Sequence, residues 1–208
     1  MIELFGSALV TFLVIIDPPG CAPIFASLTR GTDPRHRRAM AIRASLIAWA
    51  ILMFFGLLGR PMLQALGISL ASFRIAGGVM LFMIALDMVF ERRTQRREDR
   101  ANSIEGTPEA EDISVFPMAI PMIGGPGWIA SAMLWVSRAD GSAEVAVVLA
   151  AITVVILLTM LALLAAGPIM RLIGEKLEAM ITRILGVILA ALAAQFVIDG
   201  LKQSFPGL

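Results

Sequence analysis

Long apolar segments alternate with short polar loops along the chain, and each apolar segment has about the length of one membrane crossing. A helix needs about 20 mostly apolar residues to cross the hydrocarbon core of a bilayer. Six segments meet this requirement, at about residues 4–29, 39–58, 70–90, 113–136, 145–166 and 180–198. The pattern predicts an all-α membrane protein with six transmembrane helices, and a turn at 59–61 after the second helix.

The first crossing is interrupted in its middle by two adjacent prolines and a glycine that follow an acidic residue. Prolines have no backbone N–H and cannot complete the hydrogen bonds of a helix. A carboxyl group and a broken helix at membrane depth are tolerated only where protein or a water-filled cavity surrounds them. We therefore expect a substrate site at this break, with the candidate residues Asp17, Pro18, Pro19, Gly20 and Cys21.

The fourth crossing contains a second break of the same kind. Prolines and glycines interrupt the apolar run from 117 to 127. Broken helices that face each other near the bilayer midplane are typical of secondary transporters. The candidate residues at this second break are Pro121, Gly124, Gly125, Pro126 and Gly127.

The two halves of the chain carry similar short motifs at similar spacing. Residues 74–77 (Arg-Ile-Ala-Gly) recur as 183–186 (Arg-Ile-Leu-Gly), and the Pro-Gly pair at 19–20 recurs at 126–127. Because each half has an odd number of crossings, the second half would lie inverted in the membrane. The predicted parts are a three-helix repeat, a polar linker on the cytoplasmic side and a second three-helix repeat, at 1–91, 92–111 and 112–208.

Composition and charge exclude several other functions. Hydrophobic residues make up 58% of the chain, charged residues 16%, and the net charge of +1 does not suggest nucleic-acid binding. Cys21 and His36 are each the only residue of their type, so the chain has no Cys/His cluster for a metal and no nucleophile–base pair in a crossing. We expect neither an enzyme nor a bound cofactor.

Arginines in the loops predict the orientation. Positive residues accumulate in cytoplasmic loops of membrane proteins. The loops after the first, third and fifth crossings hold most of them, at 30, 35, 37, 38, 92, 93, 96, 97, 100, 171 and 176, whereas the opposite side has 60, 138 and 202. Both termini should therefore lie on the non-cytoplasmic side.

Several candidate residues have two interpretations. Asp17 followed by Pro18 could only cap the second half-helix, or it could contact the substrate or a coupling proton. The glycines could serve close helix packing alone. Arg74 and Arg183 could be interfacial residues or could line or gate a path, and Gln195 could line the path or form a hydrogen bond between helices.

Three stretches of the chain resemble the MarC family, the small neutral amino acid transporters. They are 17–25 (DPPGCAPIF), 73–78 (FRIAGG) and 116–127 (FPMAIPMIGGPG), which follow in the same order as in the family. The resemblance implies a six-helix inner-membrane protein of two inverted halves that carries glycine- or alanine-sized substrates. Cys21 departs from the family pattern, because many relatives have Asn at this position.

The two breaks also give a chemical reason for such a substrate. Half-helix N-termini at the breaks offer free amides and a partial positive charge to a carboxylate. Carbonyls freed by the prolines, together with Asp17, could hold an ammonium group, so a zwitterion satisfies both sets. We expect a secondary transporter for small neutral amino acids, coupled to a proton or sodium ion, with a channel or an exporter of other small solutes as the alternative.

Overall fold

The computed structural model describes residues 1–92, 95–96, 98–99 and 112–205, with the backbone alone for 169–175. All regular secondary structure in these residues is helical. Five helical stretches are long and apolar enough to cross a membrane, and a helical pair bent by 54° makes a sixth candidate. The predicted all-α membrane protein is confirmed at this level. The predicted linker at 92–111 lies mostly outside the described residues.

The first half contains four helices. α1 (Ile2–Ile16) and α2 (Pro18–Leu28) together form the first candidate span, and α3 (Pro34–Ala65) and α4 (Leu70–Val89) form the next two. Asp33 begins α3 by accepting hydrogen bonds from the backbone of two first-turn residues, with a proline at the first helical position.

The second half begins with an irregular segment and continues with three helices. The segment Ser114–Ile123 has extended backbone at Phe116 and Ile120, and the peptide bonds that follow these two residues are cis. It leads into α5 (Pro126–Arg138), α6 (Gly141–Leu164) and α7 (Ala166–Ser204).

Glycines bring α4 and α7 into close antiparallel contact. A Cβ atom added at Gly78 would lie 2.7 Å from a methyl carbon of Val197, and one at Gly200 would lie 2.7 Å from Ile75. Near the other end of the pair, a Cβ at Gly186 would lie 2.8 Å from the Cβ of Met88. Small residues at helix interfaces allow such approach in membranes. Gly78, Gly186 and Gly200 thus allow α4 and α7 to approach closely.

The first crossing lies at the centre of the bundle. Its most apolar window is 72% buried, against 28–39% for the other continuous candidate spans. Phe12 of α1 stacks on Trp128 of α5, with ring centroids 5.0 Å apart, and its ring edge meets Trp135. The first break, at Asp17, is likewise buried inside the bundle.

Two boundaries predicted from the sequence are wrong. Pro61 lies inside α3, which continues to Ala65, so no turn occurs at 59–61. α7 begins at Ala166, well before the expected start near Met180. Proline is tolerated inside membrane helices because neighbouring groups satisfy the carbonyl it leaves free.

Candidate functional site

The first break is centred on Asp17, which separates α1 from α2. Its backbone is left-handed, with φ at 56°, a conformation that Asp and Asn adopt more readily than most residues. Its Oδ1 accepts a hydrogen bond from the backbone N of Gly20 at 3.2 Å, and Pro18 takes the first helical position. Asp17 therefore caps α2, as one of the two interpretations predicted.

Asp17 also contacts α7 through a buried hydroxyl. The Thr182 Oγ1 lies 3.1 Å from Asp17 Oδ1 and 3.2 Å from Glu178 Oε1. All three side chains are buried. Glu178 lies in the stretch predicted as the loop before the sixth crossing, and Thr182 lies inside that crossing without a local signal of a site. Their spacing of four residues on a continuous α7 places both on one face.

The remaining candidates at the first break are enclosed by protein. Pro18, Gly20 and Cys21 are buried and Pro19 is partly exposed. The Cys21 thiol donates to the carbonyl oxygen of Ile16 at 3.5 Å, which is one of the carbonyls at the end of α1. The thiol thus forms a hydrogen bond across the first break.

At the second break, tight turns of the backbone replace the regular turns of an α-helix. Gly124 N donates to the carbonyl of Ala119 at 2.7 Å, and Trp128 N donates to the carbonyl of Gly125 at 3.0 Å. A Cβ at Gly125 would lie 2.5 Å from the carbonyl oxygen of Pro121, so only glycine fits this turn. The backbone therefore needs glycine here for reasons of space.

Asp112 holds the start of this second segment. Its carboxylate accepts a hydrogen bond from the backbone N of Ser114 at 3.0 Å and pairs with Arg43 of α3 at 2.7 Å. The hydrogen bonds from Ser114 and the charge of Arg43 keep the pKa of Asp112 below its ordinary value. The irregular segment is thus attached to α3 at its beginning.

A cavity of about 220 Å³ lies at the second break, beside the end of α1. This is far more than the roughly 10–15 Å³ that a single water needs on the same measure. Its walls come from the end of α1, from α4 and from the second break, with the residues Ile15, Ile84, Asp87, Arg96, Pro121, Met122, Gly125, Pro126, Gly127 and Trp128. Four predicted candidates line it, namely Pro121, Gly125, Pro126 and Gly127.

The other predicted candidates do not line this cavity. Gly124 lies behind it against α3, where an added Cβ would approach Ala48 at 3.7 Å. Asp17, Pro18, Pro19, Gly20 and Cys21 lie just beyond Ile15, which alone represents the first break in the wall. The sequence therefore located the region of the cavity but not the whole of its lining.

The cavity wall carries charge and an unused hydrogen-bond donor. Asp87 of α4 pairs with Arg96, so the wall presents one carboxylate and one guanidinium. The indole Nε1 of Trp128 is buried and has no hydrogen-bond partner in the described part of the chain. Buried donors normally find partners, so this one favours a polar occupant of the cavity.

The two repeated arginines lie at opposite ends of the α4–α7 pair. Arg74 Nη1 donates to the side-chain oxygen of Gln203 at 2.8 Å, and Arg183 forms an ion pair with Glu91. Arg74, near the start of α4, thus contacts Gln203 near the end of α7, whereas Arg183, in the middle of α7, contacts Glu91 just beyond the end of α4. Neither lines the cavity.

Gln195 belongs to a polar cluster at the same end as Arg74. Its Nε2 donates to Asp199 at 2.7 Å, and Asp199 forms an ion pair with Arg138 at the end of α5. The hydrogen bond of Gln195 lies within α7, four residues along the helix, so the expected bond between helices is not the one found.

The comparisons with known proteins agree with this architecture. The family model described as MarC family integral membrane protein matches residues 2–205. The chain belongs to the MarC family. This confirms the resemblance that the three sequence stretches indicated, and the protein is an integral membrane protein with several crossings.

The curated relatives of this MarC-family chain are similar over nearly their whole length. It is 34% identical over 97% of the chain and 94% of the relative to a UPF0056 membrane protein of Archaeoglobus fulgidus. It is likewise 34% identical to one of Methanocaldococcus jannaschii, over 97% of both chains. The inner membrane protein YhgN of Escherichia coli K12 is 32% identical over 97% of the chain and 98% of its own length. No solved structure matches the chain.

Proposed function

We propose that this protein is a secondary transporter of small neutral amino acids of the glycine and alanine class. The observation that carries the proposal is the cavity of about 220 Å³ whose walls are formed by the second break, by α4 and by Ile15 near the end of α1. Gly125 and Gly127 have no side chains, so they leave space in the cavity for a substrate that has a short side chain. The substrate would occupy this cavity, between the end of α1 and the start of α5.

The groups around the cavity suit a zwitterion. The N-terminus of α5 begins at Pro126 in the wall and offers partial positive charge to a carboxylate. Trp128 Nε1 can donate a further hydrogen bond, and Asp87 can attract an ammonium group. A simple anion or cation would satisfy only one of these sets, so the wall favours a ligand that carries both charges.

Asp17, Thr182 and Glu178 would form the coupling site beside the cavity. A hydroxyl carries a single hydrogen, so Thr182 can donate to one carboxylate at a time. The hydroxyl thus links two buried carboxyl groups on α7 and at the first break, which is where a coupling proton or sodium ion would bind.

We further propose that the halves are inverted repeats that meet along α4 and α7. Gly186 packs against Met88 of α4 much as Gly78 packs against Val197 of α7. Arg74 and Arg183 reach polar groups at opposite ends of this pair. Such exchange of equivalent contacts is what an internal two-fold relation would produce.

Counterflow in liposomes tests the proposed function. Purified protein in vesicles loaded with unlabelled alanine should transiently accumulate labelled alanine, and glycine should compete while leucine and glutamate should not. The reason is that a carrier exchanges one bound substrate for another in a site of limited size. Linear, non-saturating flux without counterflow would indicate a channel and would contradict the proposal.

Cysteine labelling tests the proposed orientation, with both termini on the non-cytoplasmic side. The reagent is a thiol reagent that cannot cross the membrane that holds the protein, added from the non-cytoplasmic side of that membrane. It should modify the variant Gly207→Cys and should not modify Ser103→Cys, because the arginine-rich loops lie in the cytoplasm. The native Cys21 is buried and provides no competing site. Labelling at Ser103 alone would reverse the assignment.

A further inference from the structure

Two arginines and one carboxylate meet at the end of α5, away from the cavity. Arg138 forms an ion pair with Asp199 of α7, and its guanidinium lies 4.5 Å above the ring of Phe196. Arg74 of α4 is close enough for its charge to repel that of Arg138. Within the described residues, Arg74 has no carboxylate within ion-pair distance. The cluster therefore carries one positive charge in excess.

Arg74 also has an unused donor. Its Nη1 donates to Gln203, but its Nε is buried and has no hydrogen-bond partner in the described part of the chain. A guanidinium has five N–H donors and binds a carboxylate best through two of them. The half-buried Arg74 therefore has donor capacity that the described protein groups leave unfilled.

Further unused donors connect this cluster with the cavity along α5. The Nε1 atoms of Trp128 and Trp135 and the Oγ of Ser131 are all buried and have no partner in the described residues. Positions 128, 131 and 135 are three and four residues apart and share one face of the helix. Trp128 lines the cavity, whereas Trp135 contacts Phe196 and Arg138. The face thus runs from the cavity to the arginine cluster.

We propose that Arg74 and Arg138 form a second binding site for the carboxylate of the substrate, at the end of the bundle where Asp199 lies. The carboxylate binds the two guanidiniums and displaces Asp199 from Arg138, while the ammonium group pairs with Asp199. Without substrate, the Arg138–Asp199 pair closes this end of the α5 face. The inference rests on the proposed transport of a zwitterion.

The charge balance favours this ligand. Two guanidiniums and one carboxylate leave a surplus positive charge, which a carboxylate neutralises. Gln195 and Gln203 keep Asp199 and Arg74 hydrogen-bonded when no ligand is present. The site can therefore alternate between a closed ion pair and a ligand-bound state without leaving Asp199 or Arg138 unpaired.

The test compares half-saturating alanine concentrations from each side of the membrane, in liposomes with protein of one orientation. Arg74→Gln removes no ion pair, and it should raise the half-saturating concentration from the Arg74 side by about tenfold, which corresponds to about 1.4 kcal/mol. The maximal rate and the half-saturating concentration from the other side should stay near wild type. Arg60→Gln is the matched control, because it removes the same charge from an exposed position on the same side.

A second variant tests the displacement of Asp199. In Asp199→Asn, Arg138 has no competing carboxylate, so propionate should inhibit alanine uptake from that side at a severalfold lower concentration than in wild type. A purely structural ion pair predicts no such gain. Unchanged half-saturation in Arg74→Gln together with unchanged propionate inhibition would overturn the second site. Absence of alanine counterflow in the wild type would instead contradict the proposed function itself.

Discussion

Replacing Asp17 with Asn is expected to reduce alanine counterflow at least about tenfold, equivalent to about 1.4 kcal/mol, while the protein remains folded. Asn caps helices nearly as well as Asp and tolerates the left-handed backbone at this position. Its side-chain oxygen can still accept from Gly20 and Thr182. The substitution therefore removes the negative charge while both of these hydrogen bonds remain possible. The measurement is counterflow in liposomes over a range of pH, with thermal unfolding as the check on folding.

Asp33→Asn is the matched control for this substitution. Asp33 also caps a helix that starts with proline, but it lies in an exposed loop. Its replacement should leave counterflow unchanged. If Asp17→Asn transports at the wild-type rate and with the wild-type pH dependence, Asp17 serves as a helix cap only, and the coupling role is wrong.

Replacing Gly127 with Leu is expected to abolish transport. A Cβ at Gly127 would already lie 2.3 Å from Cδ1 of Ile84, and both residues line the cavity. A leucine side chain would push Ile84 aside and fill the cavity in which we propose that the substrate binds. Because the contact is with the flexible end of a side chain, the helices can remain in place. Uptake of labelled glycine, with unfolding in detergent measured alongside, checks the result.

Two further variants make this experiment specific. Gly6→Leu introduces the same side chain into α1 at a position with nothing within 4 Å, and it should transport normally. The double variant Gly127→Ala, Ile84→Ala adds a Cβ at 127 but removes the Ile84 atoms that it would meet, so it should keep glycine uptake. Wild-type uptake by a well-folded Gly127→Leu protein would contradict the assignment of the cavity. Gly125→Leu is a poorer test, because its Cβ would meet the backbone of Pro121.

The helices were predictable from apolar runs that are long enough to cross a membrane, whereas the positions of their ends were less predictable. Each described crossing follows from an apolar run of sufficient length. The group around Pro61 is typical of a helix end, yet α3 passes through it. The start of α7 contains charged residues that suggest a loop, yet the helix continues there and buries Glu178. In both places, the helix continues through residues whose local preference favours a helix end or a loop.

The site was predictable at the residues that break helices. Proline and glycine have strong backbone effects that can be recognised without knowing their neighbours, and this located Asp17 and the run from Pro121 to Gly127. Ordinary residues in regular helices give no such signal. Ile84 and Trp128 line the cavity, and Thr182 contacts Asp17, only because residues far apart in the chain are brought together there.

The sequence by itself thus determined that the chain is an all-α membrane protein, that it belongs with the MarC family, and where its backbone is interrupted. These features depend on apolar length and on residues that cannot continue a helix. The tertiary structure alone decided which groups face the cavity, that Thr182 joins Asp17 to Glu178, and that Arg138 meets Asp199 beside Arg74. Such contacts join residues far apart in the chain, and their distances follow from helix packing rather than from local sequence.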